Sequence, residues 1–311
     1  MNSEITVHRF RVPVVCGTAQ GEGKIYEDDG VLLLPASYSA AGEAVRLVIN
    51  CHGAGGTVST DDSQVEGQMI TKYLLANGYA VMDVNGLPAG YSADAGIDIR
   101  NNIGSPVAME SYVRAYHYCV ENFNLKREVL VHGGSMGGIS STNLVRTGKI
   151  PVIAHTAFCP VLDTYNEIFL HPWSDGAPKH ALGIFYGLEK NTDGEWIYDA
   201  EKIAGYNPME DLRTDDGAEV LSYPVPVKFF QCEDDGLVDI AVTKRFVAAV
   251  KASGGTAQLC TYPDGGHEPQ DRGDAVAAPM GRTTLGGEQI IVRDAVEGVF
   301  AFLTSMEKMY G

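Results

Sequence analysis

The sequence predicts an α/β protein with a mostly parallel central sheet of about eight strands and helices on both faces. Three observations predict it. Along 311 residues, short continuous apolar runs, the pattern of strands buried on both sides, alternate with segments whose apolar residues recur every three or four positions. One run passes through Gly133-Gly134-Ser135-Met136-Gly137-Gly138 into a helical segment, in the order strand, sharp turn, helix. Two later runs end in loops rich in acidic residues and glycine, and a long amphipathic segment closes the chain.

Residues 5–15 and 30–35 read as early strands with an antiparallel start, and 45–51 as an apolar strand ending in His52-Gly53-Ala54-Gly55-Gly56. Met69, Ile70, Tyr73 and Leu74 give 63–76 a helical face, which Asn77-Gly78 stops. Residues 79–84 form the next strand, and 85–104 a long irregular loop of the kind that carries function in a compact domain. Ser105-Pro106 opens a helix over 107–123, because a serine caps and a proline suits the first turn. A helix over 139–145 follows the glycine-rich turn, and 150–158 is again a strand.

The regular alternation breaks at 163–222. That stretch holds Tyr165, Phe169, Trp173, Phe185, Tyr186, Trp196, Tyr198 and Tyr206, and reads as a helical cap inserted over the carboxyl ends of the strands. The alternation resumes with a strand at 225–230, a helix capped by Asp239, a strand at 256–262 and a closing helix at 289–306.

With Lys plus Arg 23 against Asp plus Glu 40, the formal charge of -17 repels nucleic acid and anionic membrane surfaces and suits a neutral or cationic small substrate. No apolar run reaches the length of a membrane span, and the N-terminus has neither a basic leader nor an apolar signal core, which points to a soluble, cytoplasmic protein. Cys16, Cys51, Cys119, Cys159, Cys232 and Cys260 are scattered, without metal-ligand spacing, and read as reduced structural thiols. There is no dinucleotide fingerprint, P-loop or metal triad, so no cofactor and no metal is expected; Asp28-Asp29, Asp61-Asp62 and Asp215-Asp216 read as solvated turns. An oligomeric state cannot be read from this pattern.

Gly133, Ser135 and Gly137 fit GxSxG, the strained turn that holds a serine hydroxyl out at the top of a sheet. A serine hydroxyl is a weak nucleophile at neutral pH and needs a neutral imidazole, itself oriented by a carboxylate. Both follow late strands. Glu233-Asp234-Asp235 comes after the strand at 225–230, and His267 lies in the glycine-rich loop after 256–262. His132 sits on the strand just before the turn and reads as a packed strand-end residue; His52 reads as a support for its own loop.

The order Ser135, Asp235, His267, with the strand–turn–helix elbow, resembles the serine α/β-hydrolases over nearly the whole chain. The Gly-Gly-Ser-Met-Gly-Gly turn and the placing of the insertion are similar to acyl esterases and to prolyl-oligopeptidase-like catalytic domains. The resemblance implies a single α/β-hydrolase domain over 1–311 with a cap at about 163–222 and a serine nucleophile, Ser135. It makes His267 the base and favours Asp235 over Asp234 and Glu233 as the acid. It also implies an oxyanion hole from the amide of Met136 and from the loop after the third strand, at Ala54 or Gly55. Gln231-Cys232 stands where relatives often carry His-Gly, which leaves that loop's geometry open.

The expected activity is carboxylic ester hydrolysis through an acyl-enzyme. Trp173, Trp196 and Tyr186 of the cap are candidate substrate contacts, which would suit acylated carbohydrate or aryl esters. No peptide-terminus site and no propeller domain is apparent, so a prolyl-oligopeptidase-like peptidase or amidase is the alternative, and a non-catalytic binding module a minor one.

Overall fold

The computed structural model describes residues 5–17, 23–58, 64–170, 176–272, 275–277, 284–285 and 288–310. Its main sheet has eight strands: β1 (Thr6–Cys16), β2 (Lys24–Leu34), β3 (Leu47–Cys51), β4 (Ala80–Val84), β5 (Val129–Gly134), β6 (Val152–Phe158), β7 (Val227–Cys232) and β8 (Ala257–Tyr262). Their spatial order is β1-β2-β4-β3-β5-β6-β7-β8. β2 pairs antiparallel with β1 and β4, and all remaining pairs are parallel.

This order positions the site. From β3 the chain crosses to β4 on one side, then returns to place β5 on the other. The carboxyl ends of β3 and β5 therefore flank a topological switch point, where open α/β sheets leave a crevice.

The central strands β3 to β7 read as largely apolar runs because both sheet faces are covered there. Along β3, Leu47 and Ile49 join one hydrophobic cluster and Val48 the other; along β5, Val129 and Val131 oppose Leu130 in the same way. Helices α1 (Met69–Ala76) and α6 (Asp294–Tyr310) cover one face. Helices α2 (Pro106–Asn122), α3 (Met136–Thr147), α4 (Ala177–Phe185) and α5 (Ile240–Ala252) build the cluster on the other. Removing one such fully buried aliphatic from water stabilises the fold by about 1.5–3 kcal/mol.

Local signals set the helix ends. Ser105 accepts a hydrogen bond from the Ala108 amide at 3.3 Å to start α2, and Asp239 accepts from the Ala241 amide at 2.9 Å to start α5. Gly148, with φ 62°, closes α3 in the left-handed conformation that glycine adopts without strain.

Three boundaries differ from expectation. β2 begins at Lys24 rather than 30, because its first residues, Lys24 to Glu27, are exposed or half-exposed and largely polar instead of running apolar. A short helix, Ala89–Ala95, lies inside the stretch expected to be irregular. The closing helix starts at Asp294 instead of 289: Ile291–Arg293 pairs as a strand with Ala275–Ala277, as its β-branched residues favour. The expected helix start at 63 and the pair Asp61-Asp62 fall outside the described residues.

Residues 163–222 contain a π-helical turn (Thr164–Phe169), α4, a helical turn at Ala200–Ile203 and a hairpin of Arg213–Asp215 with Ala218–Val220. Leu182, Phe185, Tyr186, Ile203 and Leu221 join the same cluster as α2 and α3. Among the described residues no helix is long and apolar enough to cross a membrane.

Candidate active site

Ser135 stands between β5 and α3 with φ 54° and ψ -122°, a conformation that costs a non-glycine residue on the order of 1–3 kcal/mol. Close packing fixes Gly133 and Gly137, two residues to either side, as glycine. A Cβ on Gly137 would lie 1.8 Å from the Cys51 carbonyl oxygen, and one on Gly133 would lie 2.5 Å from the Gly137 oxygen. The turn is thus pressed against the end of β3. The Ser135 amide donates to the Phe158 carbonyl at 3.0 Å, and the Val161 amide donates to the Ser135 carbonyl at 3.0 Å, tying the turn to the end of β6 as well.

The loops after β7 and β8 meet this turn. His267 Nε2 lies 2.9 Å from Ser135 Oγ, and His267 Nδ1 lies 3.1 Å from each carboxylate oxygen of Asp235. One tautomer satisfies both contacts: Nδ1–H donates to Asp235, and the serine hydroxyl donates to Nε2. Asp235 also accepts from the Leu237 amide at 3.0 Å, the Val238 amide at 3.1 Å and the Gln231 side chain at 3.1 Å. Burial pushes its carboxyl upward, but the bonds from His267 and the two amides outweigh burial and hold it below the usual carboxylate range. Gln231 is therefore a support for the Asp235 carboxylate. Of the other two candidates, Asp234 accepts from the Gly265 and Gly266 amides and so folds the loop carrying His267, while Glu233 pairs with Lys244 at 2.6 Å.

Met136 is the first residue of α3 and is buried. In the loop after β3, Gly53 lies against Ser135: a Cβ there would sit 3.4 Å from Ser135 Cβ. Ala54 and Gly55 follow in an exposed turn closed by the Gly56 amide donating to the Gly53 carbonyl at 3.3 Å.

The base of that loop is an internal polar network that the sequence did not announce. His52 Nδ1 is 3.2 Å from Asp83, whose carboxylate also accepts from Asn50 at 2.7 Å and Tyr112 at 3.0 Å. Burial lowers the His52 pKa, but the charge and hydrogen bond of Asp83, with the charge of Asp28, outweigh it and raise it. Asp28 accepts from Ser111 and from the Gly86 amide, and burial raises its carboxyl to about 7. His132, expected to be packed, is buried with Nδ1 2.9 Å from Thr156 Oγ1, and burial lowers it to about 3.

A cavity of about 470 Å³ opens at Ser135 and His267. Its walls come from His52 and Gly53 after β3, from Gln68, Met69 and Ile70 at the start of α1, from Phe158 and Cys159 after β6, and from Glu268, Gln270 and Asp271 after His267.

The expected substrate contacts from the insertion need correction. Trp173 lies outside the described residues. Trp196 and Tyr186 do not line this cavity. The Trp196 ring covers Gly183, where a Cβ would meet it at 2.5 Å, and Lys190 lies 4.4 Å from its centre. Tyr186 is buried beside Tyr206. These rings pack within segment 163–222 and against the hydrophobic cluster it shares with α2 and α3. Sequence reasoning did not single out Gln68, Gln270 and Cys159 as cavity walls; of these only Cys159 carried a signal, its place directly after the carboxyl end of β6.

The chain matches no protein-family profile and no curated protein sequence. Solved structures do match. Acylaminoacyl peptidase from Pyrococcus horikoshii aligns at a TM-score of 0.54 and 14% identity, over 85% of this chain and 38% of that one. An S-formylglutathione hydrolase from Agrobacterium tumefaciens aligns at 0.56 and 16% identity, over 86% and 90%. Est1E from Butyrivibrio proteoclasticus aligns at 0.53 and 15% identity, over 96% and 99%. The chain therefore spans well under half of the peptidase and most of the other two. It has the α/β-hydrolase fold, and its structural neighbours are serine-hydrolase-fold proteins.

Proposed function

We propose that the protein is a serine hydrolase that cleaves carboxylic esters through an acyl-enzyme. The observation that carries this reading is the hydrogen-bonded chain Ser135–His267–Asp235 at the wall of an open cavity. Ser135 Oγ attacks the ester carbonyl while His267 Nε2 takes its proton. The imidazolium is stabilised by Asp235 and returns the proton to the leaving alcohol; water then repeats the cycle on the acyl-enzyme. The Met136 amide at the start of α3 and an amide of the Ala54–Gly55 turn are the proposed donors to the oxyanion.

Ester over amide is favoured by leaving-group chemistry, since an alkoxide departs with less proton assistance than an amine. Met69, Ile70 and Phe158 supply apolar wall for an acyl group, and Gln68 and Gln270 supply polar contacts for its alcohol. Glu268 and Asp271 beside His267, with the net charge of -17, disfavour substrates carrying a free carboxylate. The segment 163–222 is read as an insertion of one hydrolase domain that supports the cleft from beside it. The aryl preference inferred from its rings has no support in the cavity walls.

The second reading, a peptidase or amidase, has the acylaminoacyl peptidase among the structural neighbours in its favour. Chromogenic acyl esters assayed beside aminoacyl and prolyl anilides decide between them. The ester reading expects turnover of esters and little of anilides; the reverse pattern overturns it.

A further inference from the structure

We propose that the cleft also holds a site for a soft divalent cation such as Zn²⁺, with His267 Nε2 and Cys159 Sγ as its protein ligands and Asp235 fixing the imidazole. Cys159 follows β6 as Ser135 follows β5, and its φ of 37° is a left-handed conformation unusual for a side chain of its kind. Its thiol donates to the His267 carbonyl at 3.5 Å, and Sγ lies 3.8 Å from His267 Nε2. A sulfur, a ring nitrogen and a carboxylate oxygen from Cys159, His267 and Asp235 all lie within 4.8 Å of one another.

The geometry fits zinc. Bonds of about 2.3 Å to sulfur and about 2.0–2.1 Å to nitrogen, at a tetrahedral angle, require the two donors to stand roughly 3.5 Å apart. The observed 3.8 Å needs a small closing movement, together with rotation of the Ser135 hydroxyl, 2.9 Å from Nε2, out of the metal position. A metal-bound histidine characteristically donates its other N–H to a carboxylate, which fixes the ring and strengthens the ligand. Asp235 already accepts from Nδ1 in that arrangement. The cavity supplies an entry path and room for water in the remaining positions. On loading, the thiol proton passes to solvent and one sulfur–metal and one nitrogen–metal bond form.

The cation takes the same Nε2 lone pair that accepts the Ser135 hydroxyl, so binding and proton transfer from Ser135 exclude each other. That inhibitory consequence rests on the proposed hydrolase activity; the binding itself does not.

The test is a Co²⁺ titration of the full chain, read by thiolate-to-cobalt charge-transfer absorbance in the near ultraviolet, followed by Zn²⁺ displacement. The expected result is one ion per chain with a thiolate band. Cys159→Ala and His267→Ala should each bind at least about 10-fold more weakly, and Cys159→Ala should lose the band. Ser135→Ala should keep it. Circular dichroism confirms that each variant is folded. If the wild type hydrolyses esters, Zn²⁺ should inhibit in proportion to occupancy and a chelator should restore the rate. Absence of the thiolate band in the wild type, or unchanged affinity in both ligand variants, overturns the site. Full activity of a zinc-saturated protein overturns the assignment of Nε2. Should the wild type turn over no ester, the titration still reads the metal site and only the proposed function fails.

Discussion

The cleft at Ser135 and the aromatic segment at 163–222 are both rich in side chains that sequence reasoning associates with substrate binding, yet they spend those groups differently. In the segment the rings satisfy one another: Tyr165 and Phe169 meet Tyr198 at 4.8 and 5.2 Å between centres, and Trp196 lies on Gly183. In the cleft, Ser135, His267, Gln68 and Gln270 are set around open space. Aromatic content therefore marks where this fold needs core, whereas polar groups set around open space at strand ends mark the candidate cleft.

The sharpest way to break this contrast is Ser135→Ala. It should lower ester turnover by about 10⁴–10⁶-fold with the fold intact, measured as kcat on a chromogenic ester. Activity surviving there would move the chemistry out of the cleft. Next in size, Asp235→Asn should cost about 10⁴-fold in kcat by losing the tautomer that leaves Nε2 free. Asp234→Asn, which touches only the loop amides, should cost about tenfold or less in the same assay.

Within the cleft, Ile70→Trp adds bulk to the cavity wall. It should shift the preferred acyl chain to a shorter one, with selectivity changed by about 10–200-fold per methylene excluded. The matching change in the insertion, Trp196→Ala, should instead lower the melting temperature, at a cost of about 1–3 kcal/mol, and leave kcat/KM within about twofold. An acyl-specificity change in Trp196→Ala would erase the distinction between the two regions.

The smallest effect concerns pH and stability. His132 beside the cleft and His155 in β6 are both depressed to about 3 by burial. Their contribution to stability is full above the ordinary histidine pKa near 6.5 and is lost as pH falls from there towards 3, because the unfolded chain binds protons that the fold excludes. Glu167 in the insertion runs the other way: burial raises it from 4.5 to about 8, so its contribution is full below 4.5 and lost as pH rises through 8. Thermal melting across pH should show a shallower acid limb for His132→Asn and a shallower loss above 4.5 for Glu167→Gln.

Much of this was legible in the residues. The apolar runs of β3 to β7 read as strands because both faces are covered, and the meeting of Ser135, Asp235 and His267 was expected from glycine turns and loop position. The Asp28, His52 and Asp83 network was not visible, since three residues of different strands and loops meet only once the sheet order brings β2, β3 and β4 together. Cys159 was hidden for a related reason: its neighbour His267 is 108 positions away, and its positive φ leaves no mark in composition. The insertion misled because aromatic residues carry the same letters whether they face a ligand or each other.

Labelling with a fluorophosphonate, followed by mass mapping of the adduct, tests the central claim most directly. The account predicts a single adduct on Ser135 that disappears in Ser135→Ala and is greatly slowed in His267→Ala. An unlabelled folded protein, or an adduct on another residue, would contradict it.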